Sequence, residues 1–379
     1  MSPAVRSRRF DVVVIGAGPA GSATALRLRH HGIGRVLLAD AGGFDGFRIG
    51  ESIPPDTGLL LAELDLLPDF LAQGHEPCLG SCSSWGDDEL GYNDFVTNPY
   101  GHGWHLDRSR FDAFLARHAA ERGARLELGW RLEVAERLPA GGWSLTFKTA
   151  GGRRRRVEAA IVVDATGQRA CFARMAGGRR QVADRLLCIA GRFQLPTNAG
   201  FGKLTLLEAR SYGWWYAARL AGGEAIVAVT TDPDTCRRRE LRNPVSWFCH
   251  LAQTRQLGAR LDGSTLIPGG LRTFPVSSFR LEPPHGEDWL AVGDAAGAYD
   301  PLTSQGIYKA LAGGLQAGDA IAGLLSGETR DFKAYGESLA WSWEEYLKLR
   351  AHLYTRETRW PGEPFWQARQ ALAAPAPVA

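Results

Sequence analysis

Short apolar runs and amphipathic stretches alternate through the first forty residues, and strand-like periodicity dominates later. Residues 10–15 (Phe-Asp-Val-Val-Val-Ile) are β-branched and apolar, long enough for a central strand and too short for a helix. Residues 20–31 have helical spacing, with Ala23, Leu26 and Leu28 available to pack, and 35–40 read as a second strand ending in Asp40. A helix is predicted over 57–71 from Leu59, Leu60, Leu64 and Leu67, and another over 108–122 from Phe111, Phe114, Leu115 and Ala119, capped by Asp107. Strands follow at 125–128, 132–137, 143–149 and 155–163, the last two forming a hairpin whose Arg153–156 end is solvated. Further strands are predicted at 186–193, 203–209, 214–220 and 225–230. This run lacks the steady helix alternation of a parallel doubly wound sheet, so it predicts a second lobe on a mixed or antiparallel sheet. Helices are expected over 244–257, over 306–325 with Ser304 as cap, and over 331–350. The Ala- and Pro-rich end after Pro361 is expected to fray.

Composition narrows the class. The chain has 379 residues, 45% hydrophobic and 22% charged, with a net charge of +3. Such apolar content and near-balanced charge exclude a natively unfolded chain and argue against a dedicated nucleic-acid binder. Only five of the 44 cations are Lys (148, 203, 309, 333, 348). Six cysteines without a CxxC pair support neither zinc nor a redox dithiol and suit a reducing, cytoplasmic setting. No run of 18 apolar residues predicts a membrane span. Arg6, Arg8 and Arg9 before the first apolar run resemble a signal, but the glycines that follow make that run a buried strand.

Those glycines carry the first chemistry. Gly16-Ala17-Gly18-Pro19-Ala20-Gly21 stands between strand and helix, with Asp40 24 residues after Gly16. Gly16 allows the tight turn, Gly18 lets a pyrophosphate approach the backbone, and Gly21 lets helix and strand pack closely. The helix N-terminus offers N–H groups to phosphate, and the carboxylate can bond ribose hydroxyls. This predicts an adenine-dinucleotide site without choosing between FAD and NAD. Two more strand-to-turn sites, Asp164-Ala165-Thr166-Gly167 and Gly293-Asp294, can bring backbone to the same ligand. The segment 74–105, rich in Gly and aromatics (Trp85, Tyr92, Tyr100, His102, Trp104, His105), reads as strands and loops around a substrate pocket. In Gly213-Trp214-Trp215-Tyr216, strand alternation points Trp214 and Tyr216 to one face and Trp215 to the other.

GAGPAG at 16–21, DATG at 164–167 and GDAAGAYDPLTSQGI at 293–307 together resemble FAD-dependent monooxygenases of the p-hydroxybenzoate hydroxylase type. The resemblance implies an α/β fold: a Rossmann-like FAD-binding lobe (8–50, 106–170, 284–330), a mixed β-sheet substrate lobe (51–105, 171–283), a C-terminal helix (331–360) and a flexible tail (361–379). It puts Gly293 and Asp294 on the ribityl chain, Gln305, Gly306 and Ile307 at the flavin pyrimidine edge, and Arg108 or Arg110 near the pyrophosphate. Arg48 and Gly167 join the same cofactor set. The Gly50-Glu51-Ser52-Ile53-Pro54 block and the aromatic GWWY block look nearest to flavin-dependent halogenases. The relatives of those halogenases include flavoproteins that oxidise a tryptophan of a partner protein during quinone-cofactor maturation. Two departures matter: the halogenase G-W-x-W-x-I-P pattern is incomplete here, and no lysine lies between Ser52 and Phe147 to direct hypohalous acid.

The expectation is therefore a flavin-dependent monooxygenase hydroxylating an electron-rich aromatic, either a small biosynthetic intermediate or a tryptophan or tyrosine of a partner protein. The alternatives are a flavin-dependent dehydrogenase, reductase or halogenase-like enzyme, and last a non-enzymatic flavoprotein. Trp104, Trp214 and Tyr216 are expected in a dry pocket wall. His102, His105 and Glu51 are the acid–base candidates. Reducing equivalents would come from NAD(P)H or a partner flavin reductase, since no second GxGxxG is present. No metal is expected.

Overall fold

The structure, a computed structural model, describes residues 8–371 apart from Asn198 and Thr329. Its first sheet is built around Arg8–Ile15, whose Val12, Val13 and Val14 are wholly buried because helices or strands cover both faces. That strand pairs in parallel with Val36–Asp40 on one side and Arg154–Asp164 on the other. The first half of Arg154–Asp164 also pairs antiparallel with Trp143–Lys148, and its last three residues pair in parallel with Trp289–Ala291. In this register Ile15 lies beside Asp164, and Asp164 beside Ala291. Three chain segments therefore turn at one carboxyl edge of the sheet, where ligands of open α/β sheets bind.

Two helices pack on one face of this sheet. Pro19–His30 crosses Gly306–Leu325 where Gly314 and Gly318 let the backbones meet: a Cβ on Gly314 would lie 2.7 Å from the Ala20 carbonyl oxygen. An Arg27–Asp319 ion pair, 2.6 Å, flanks the crossing.

The second sheet runs in the order Thr265–Leu266, Leu187–Gln194, Glu224–Thr231, Gly213–Leu220, Leu204–Arg210, Gly80–Ser84 and Gly91–Asp94, with Arg272–Pro275 also on Leu187–Gln194. It is antiparallel except where Leu204–Arg210 pairs in parallel with Gly80–Ser84, so the sheet is mixed. The fold is thus α/β, with a Rossmann-like region, a mixed-sheet lobe and C-terminal helices. On one face Trp215 packs against Trp247 of the helix Pro244–Ala252, with ring centroids 4.9 Å apart. On the other face Trp214 donates from Nε1 to the Tyr354 hydroxyl at 3.2 Å, and Tyr354 donates to Asp300 at 2.8 Å.

Four expectations need correction. The helix expected over 57–71 is two, Thr57–Glu63 and Leu67–Leu71, because Asp65 takes a left-handed φ of 53° and Pro68 opens the second. The helix expected to 257 ends at Ala252. Ser304 is left-handed (φ 50°) and Gln305, not Ser304, precedes the first turn of Gly306–Leu325. The end of the chain is not simply a tail: the second of two C-terminal helices, Arg330–Thr355 and Pro364–Ala371, buries Phe365 and Trp366. Trp366 donates to the Arg210 carbonyl at 2.9 Å, and Arg369 to Asp184 at 3.1 Å. Composition hid this because the apolar and cationic anchors are interspersed among Pro, Gly and Ala. Residues 372–379 lie outside the described residues. No helix among the described residues is long and apolar enough to cross a membrane.

Candidate functional site

The three turns enclose a cavity of about 820 Å³. Gly16, at φ 110°, lies so close to the second turn that a Cβ would stand 2.2 Å from the Ala165 carbonyl oxygen. Gly21 is equally constrained, its Cβ falling 1.9 Å from the Gly16 oxygen, and Gly293 presses on Ala20. These three glycines bring the turns together. Gly18 differs: a Cβ there meets nothing within 4 Å, so its backbone faces open cavity at a helix N-terminus. That is the space a pyrophosphate would fill, and the cradle fits a dinucleotide.

Polar groups complete the cradle. Asp40 lines it while accepting from the Ala17 and Gly42 N–H groups, both at 2.8 Å. Arg48 and Arg108 line it from another side and share the buried Asp112 carboxylate, Arg108 Nε at 3.1 Å. Burial opposes the Arg108 charge, but Asp112, Glu51 and Asp294 outweigh it and raise its pKa. Asp164 does not face the cavity. Its carboxylate takes N–H groups of Thr166 (2.9 Å) and Ala173 (2.7 Å), which fixes the turn that presents Thr166 and Gly167. Asp294, Gly306 and Ile307 close the far end. Asp294 accepts from Lys309 Nζ at 3.1 Å, and Lys309 also bonds the Gly297 carbonyl and lies over the Tyr299 ring. Burial lowers the Lys309 pKa, and Asp294 works against that.

The second sheet forms one wall, through Cys188, Trp214, Tyr216, Ile226 and Ala228. Glu51 stands at that wall, 3% exposed, with Oε1 free of any hydrogen bond. Burial raises its pKa to about 7, against the pull of Arg108. Tyr216 is pushed well above the phenol range, first by burial and then by Glu51.

A second, broader cavity of about 1620 Å³ adjoins the first and shares Ser52, Tyr299 and Ser304 with it. Cys78, Trp85, Thr205, Leu207, Trp341 and Trp343 are among its walls, and Tyr299 stacks on Tyr346 at 4.2 Å. Gln305 and Gly293 line this second space rather than the first.

Several expected site residues stand elsewhere. Trp104 is core: it packs edge-on to Phe70 at 5.2 Å and lines neither cavity. His102 bonds the Gly103 carbonyl at 2.7 Å and rests on Trp104. His105 is fully buried behind the second cavity, with Nε2 2.9 Å from Thr205 Oγ1, and burial lowers its pKa to about 4. Neither histidine reaches either cavity wall, because the strand Gly103–His105 lies between two others, Ser52–Ile53 and Glu76–Cys78. Arg110 is exposed and donates to the Gln73 carbonyl, so of the two arginines only Arg108 reaches the cradle. Ser52, Thr205 and Tyr299 were missed. Nothing in its local sequence marks Thr205, whereas Ser52 lies inside the 50–54 block and Tyr299 inside the 293–307 motif. Among the described residues no group of three or more metal-ligating side chains is assembled.

Residues 89–379 match the family described as tryptophan halogenase. The chain is 31% identical to the putative FAD-dependent oxidoreductase LodB of Marinomonas mediterranea, over 96% of this chain and 98% of that protein. It is 27% identical to the 1H-pyrrole-2-carbonyl-[peptidyl-carrier protein] brominase of Pseudoalteromonas luteoviolacea, over 88% and 84%. In fold it is similar to the myxobacterial chondrochloren halogenase CndH, with a TM-score of 0.88 at 23% identity, covering 96% of this chain and 86% of that one.

Proposed function

We propose, from the premise that the chain belongs to the tryptophan halogenase family, that it is a flavin-dependent oxidoreductase using dioxygen to attack an electron-rich aromatic ring. The cofactor is FAD, and a partner flavin reductase supplies it reduced. The observation that carries the reading is the seam: a dinucleotide cradle and an aromatic-walled chamber meet at Ser52, Tyr299 and Ser304.

Reduced FAD, once bound, supplies the activation of dioxygen that no ordinary side chain performs. The chain does the rest. Arg48 and Arg108 hold the pyrophosphate, Gly18 admits it, and Asp40 and Asp294 take ribose and ribityl hydroxyls. Trp214 and Tyr216 line the cofactor cavity and exclude water from it. Glu51, poised near neutral pH, keeps a proton beside the reacting end. The substrate is an aromatic small molecule or a tryptophan or tyrosine carried by a partner protein. Six free thiols suit a cytoplasmic setting.

The relatives' names favour halogenation, the alternative in the sequence reading, over the hydroxylation expected first. Halogenation asks for an amine to direct the halogen. Lys309 is the buried lysine that lines the second cavity, so in this reading it takes that part. Hydroxylation is the second reading, and one observation favours it: the Lys309 ammonium is already engaged by Asp294, the Gly297 carbonyl and the Tyr299 ring. The test is mass spectrometry of aromatic compounds and tryptophan peptides turned over with FAD, a flavin reductase, air and halide. Gain of a halogen, lost in Lys309→Ala with FAD binding intact, supports the first reading. Gain of one oxygen that survives Lys309→Ala supports the second, and no oxygen-dependent product under any condition overturns both.

A further inference from the structure

The two cavities are joined by a line of hydroxyls that the cofactor cradle does not use. Tyr216 OH lies 2.8 Å from Ser52 Oγ, Ser52 Oγ lies 2.7 Å from Thr205 Oγ1, and Thr205 Oγ1 lies 2.9 Å from His105 Nε2. At the other end Tyr216 and Glu51 line the same cavity, and the Glu51 Oε1 there has no hydrogen-bond partner among the described residues. These five side chains come from four separate parts of the chain: residues 51–52, the strand Gly103–His105, the strand Leu204–Arg210 and the strand Gly213–Leu220. Glu51 and Tyr216 face the cofactor cavity, Thr205 faces the second cavity, and Ser52 faces both.

We propose that Tyr216, Ser52 and Thr205 form a proton relay that returns to Glu51 the proton an aromatic ring loses in the second cavity, with His105 as the positioning residue that sets its direction. The inference rests on the aromatic-oxidation reading for the origin of the proton, though not for the existence of the relay.

The direction follows from counting donors. Each hydroxyl has one proton to give. His105 Nδ1 is buried with no hydrogen-bond partner among the described residues, so the proton of the neutral ring sits on Nε2, where Thr205 accepts it. Thr205 then donates to Ser52, and Ser52 to Tyr216. That leaves the Tyr216 proton to point toward Glu51, which lines the same cavity. Burial keeps His105 neutral and raises the Glu51 pKa to about 7, so the carboxyl can hold or release a proton near neutral pH. When Glu51 gives its proton to the cofactor cavity, the carboxylate draws on Tyr216, and each hydroxyl passes its proton one step along. Ring rearomatisation breaks one C–H bond, its electron pair returns to the ring, and the proton enters at Thr205. Three hops bring it to Glu51. One proton enters, one leaves, and no electron moves along the relay.

The charged and titratable neighbours permit this. Glu51 is faced by Arg108 from the helix Arg108–Glu121, by Tyr216 and by the Cys188 thiol across the sheet. His105 is faced by Arg219, whose guanidinium pairs with Glu76 at 3.7 Å, while Cys78 Sγ stands 3.8 Å from Thr205 Oγ1.

The experiment is an infrared pH titration of the FAD holoenzyme, following the protonated carboxyl band that Glu51→Gln removes. Thr205 does not line the cofactor cavity. The relay predicts that Thr205→Val shifts the frequency and midpoint of that band, and that Thr205→Ser, which keeps the hydroxyl, restores both. A Glu51 band identical in wild type, Thr205→Val and Ser52→Ala overturns the relay. Turnover is read separately: Thr205→Val should slow product formation about a hundredfold, the lower end of general acid–base effects, and abolish a curved proton inventory. A wild type that shows the shifting band but oxidises no aromatic ring would fail the functional reading and leave the relay standing.

Discussion

The two sides of the flavin cavity are built on different principles. On the carboxyl edge of the first sheet the backbone makes the site: three glycines sit where a Cβ would overlap a neighbour, and a fourth leaves open the space for phosphate. On the opposite side, side chains make the site, through Trp214 and Tyr216 of the second sheet and the neighbouring Glu51 and Ser52. A backbone site tolerates almost no substitution at its turns and is indifferent to most side chains around them. A side-chain site keeps its fold through conservative changes and loses its chemistry.

Substitutions break this contrast if it is wrong. The largest effect is expected from Gly16→Ala, which forces a Cβ into the Ala165 carbonyl at a left-handed backbone angle. It should cost more than ~3 kcal/mol of stability and abolish FAD binding, seen in chemical denaturation and flavin fluorescence. Trp214→Ala removes a side chain 1% exposed and should cost about 3–5 kcal/mol, as well as opening the wall to water. If it leaves both stability and product yield unchanged, Trp214 is not part of the wall.

Next comes pH. The Glu51 pKa is raised to about 7, so the folded state holds a proton that the unfolded chain gives up above its ordinary 4.5. Stability therefore falls as pH rises from about 4.5 to 7, by roughly 3 kcal/mol from this group, and Glu51→Gln should remove that slope. His105, lowered to about 4, acts in the opposite sense: its contribution is lost as pH falls from about 6.5 toward 4. Denaturant titrations of the apoprotein across this range separate the carboxyl from the histidines, because Glu51→Gln should expose the joint slope of His105 and His75, which burial also lowers to about 4.

Smaller still is Gly18→Ala. Its Cβ meets no protein atom, so the melting temperature of the apoprotein should hold while FAD affinity falls about tenfold, ~1.4 kcal/mol. Least of all, Arg110→Ala should leave FAD affinity unchanged, since that side chain reaches only the Gln73 carbonyl, whereas Arg108→Ala should weaken it.

The same contrast explains what the sequence disclosed. Gly16, Gly18 and Gly21 follow an apolar strand at fixed spacing because the turn geometry admits little else, Asp164 ends a strand, and Asp294 stands in the turn that follows one. Such constraints are local, so they are legible in the chain. Trp214 and Tyr216 were legible too, since strand alternation alone puts both on one face. The meeting of Ser52 with Thr205 was not: 153 residues separate them, and they stand on different sheets that only tertiary packing brings together. Trp104 and His105 misled for the complementary reason. They share an aromatic segment with groups that line the chamber, but the short strand that carries them is covered on both edges. The final helix escaped notice because its anchors, Trp366 and Arg369, depend on Arg210 and Asp184 far back in the chain.

The central claim is that the turns at Gly16, Gly167 and Asp294 hold one flavin. A fluorescence titration of the apoprotein with FAD tests it most directly, carried out on the wild type and on Gly18→Val, Gly167→Val and Asp294→Ala. The account predicts one FAD per chain and weaker binding in all three variants. Failure of the wild type to bind FAD, or binding weakened at only one turn, would contradict it.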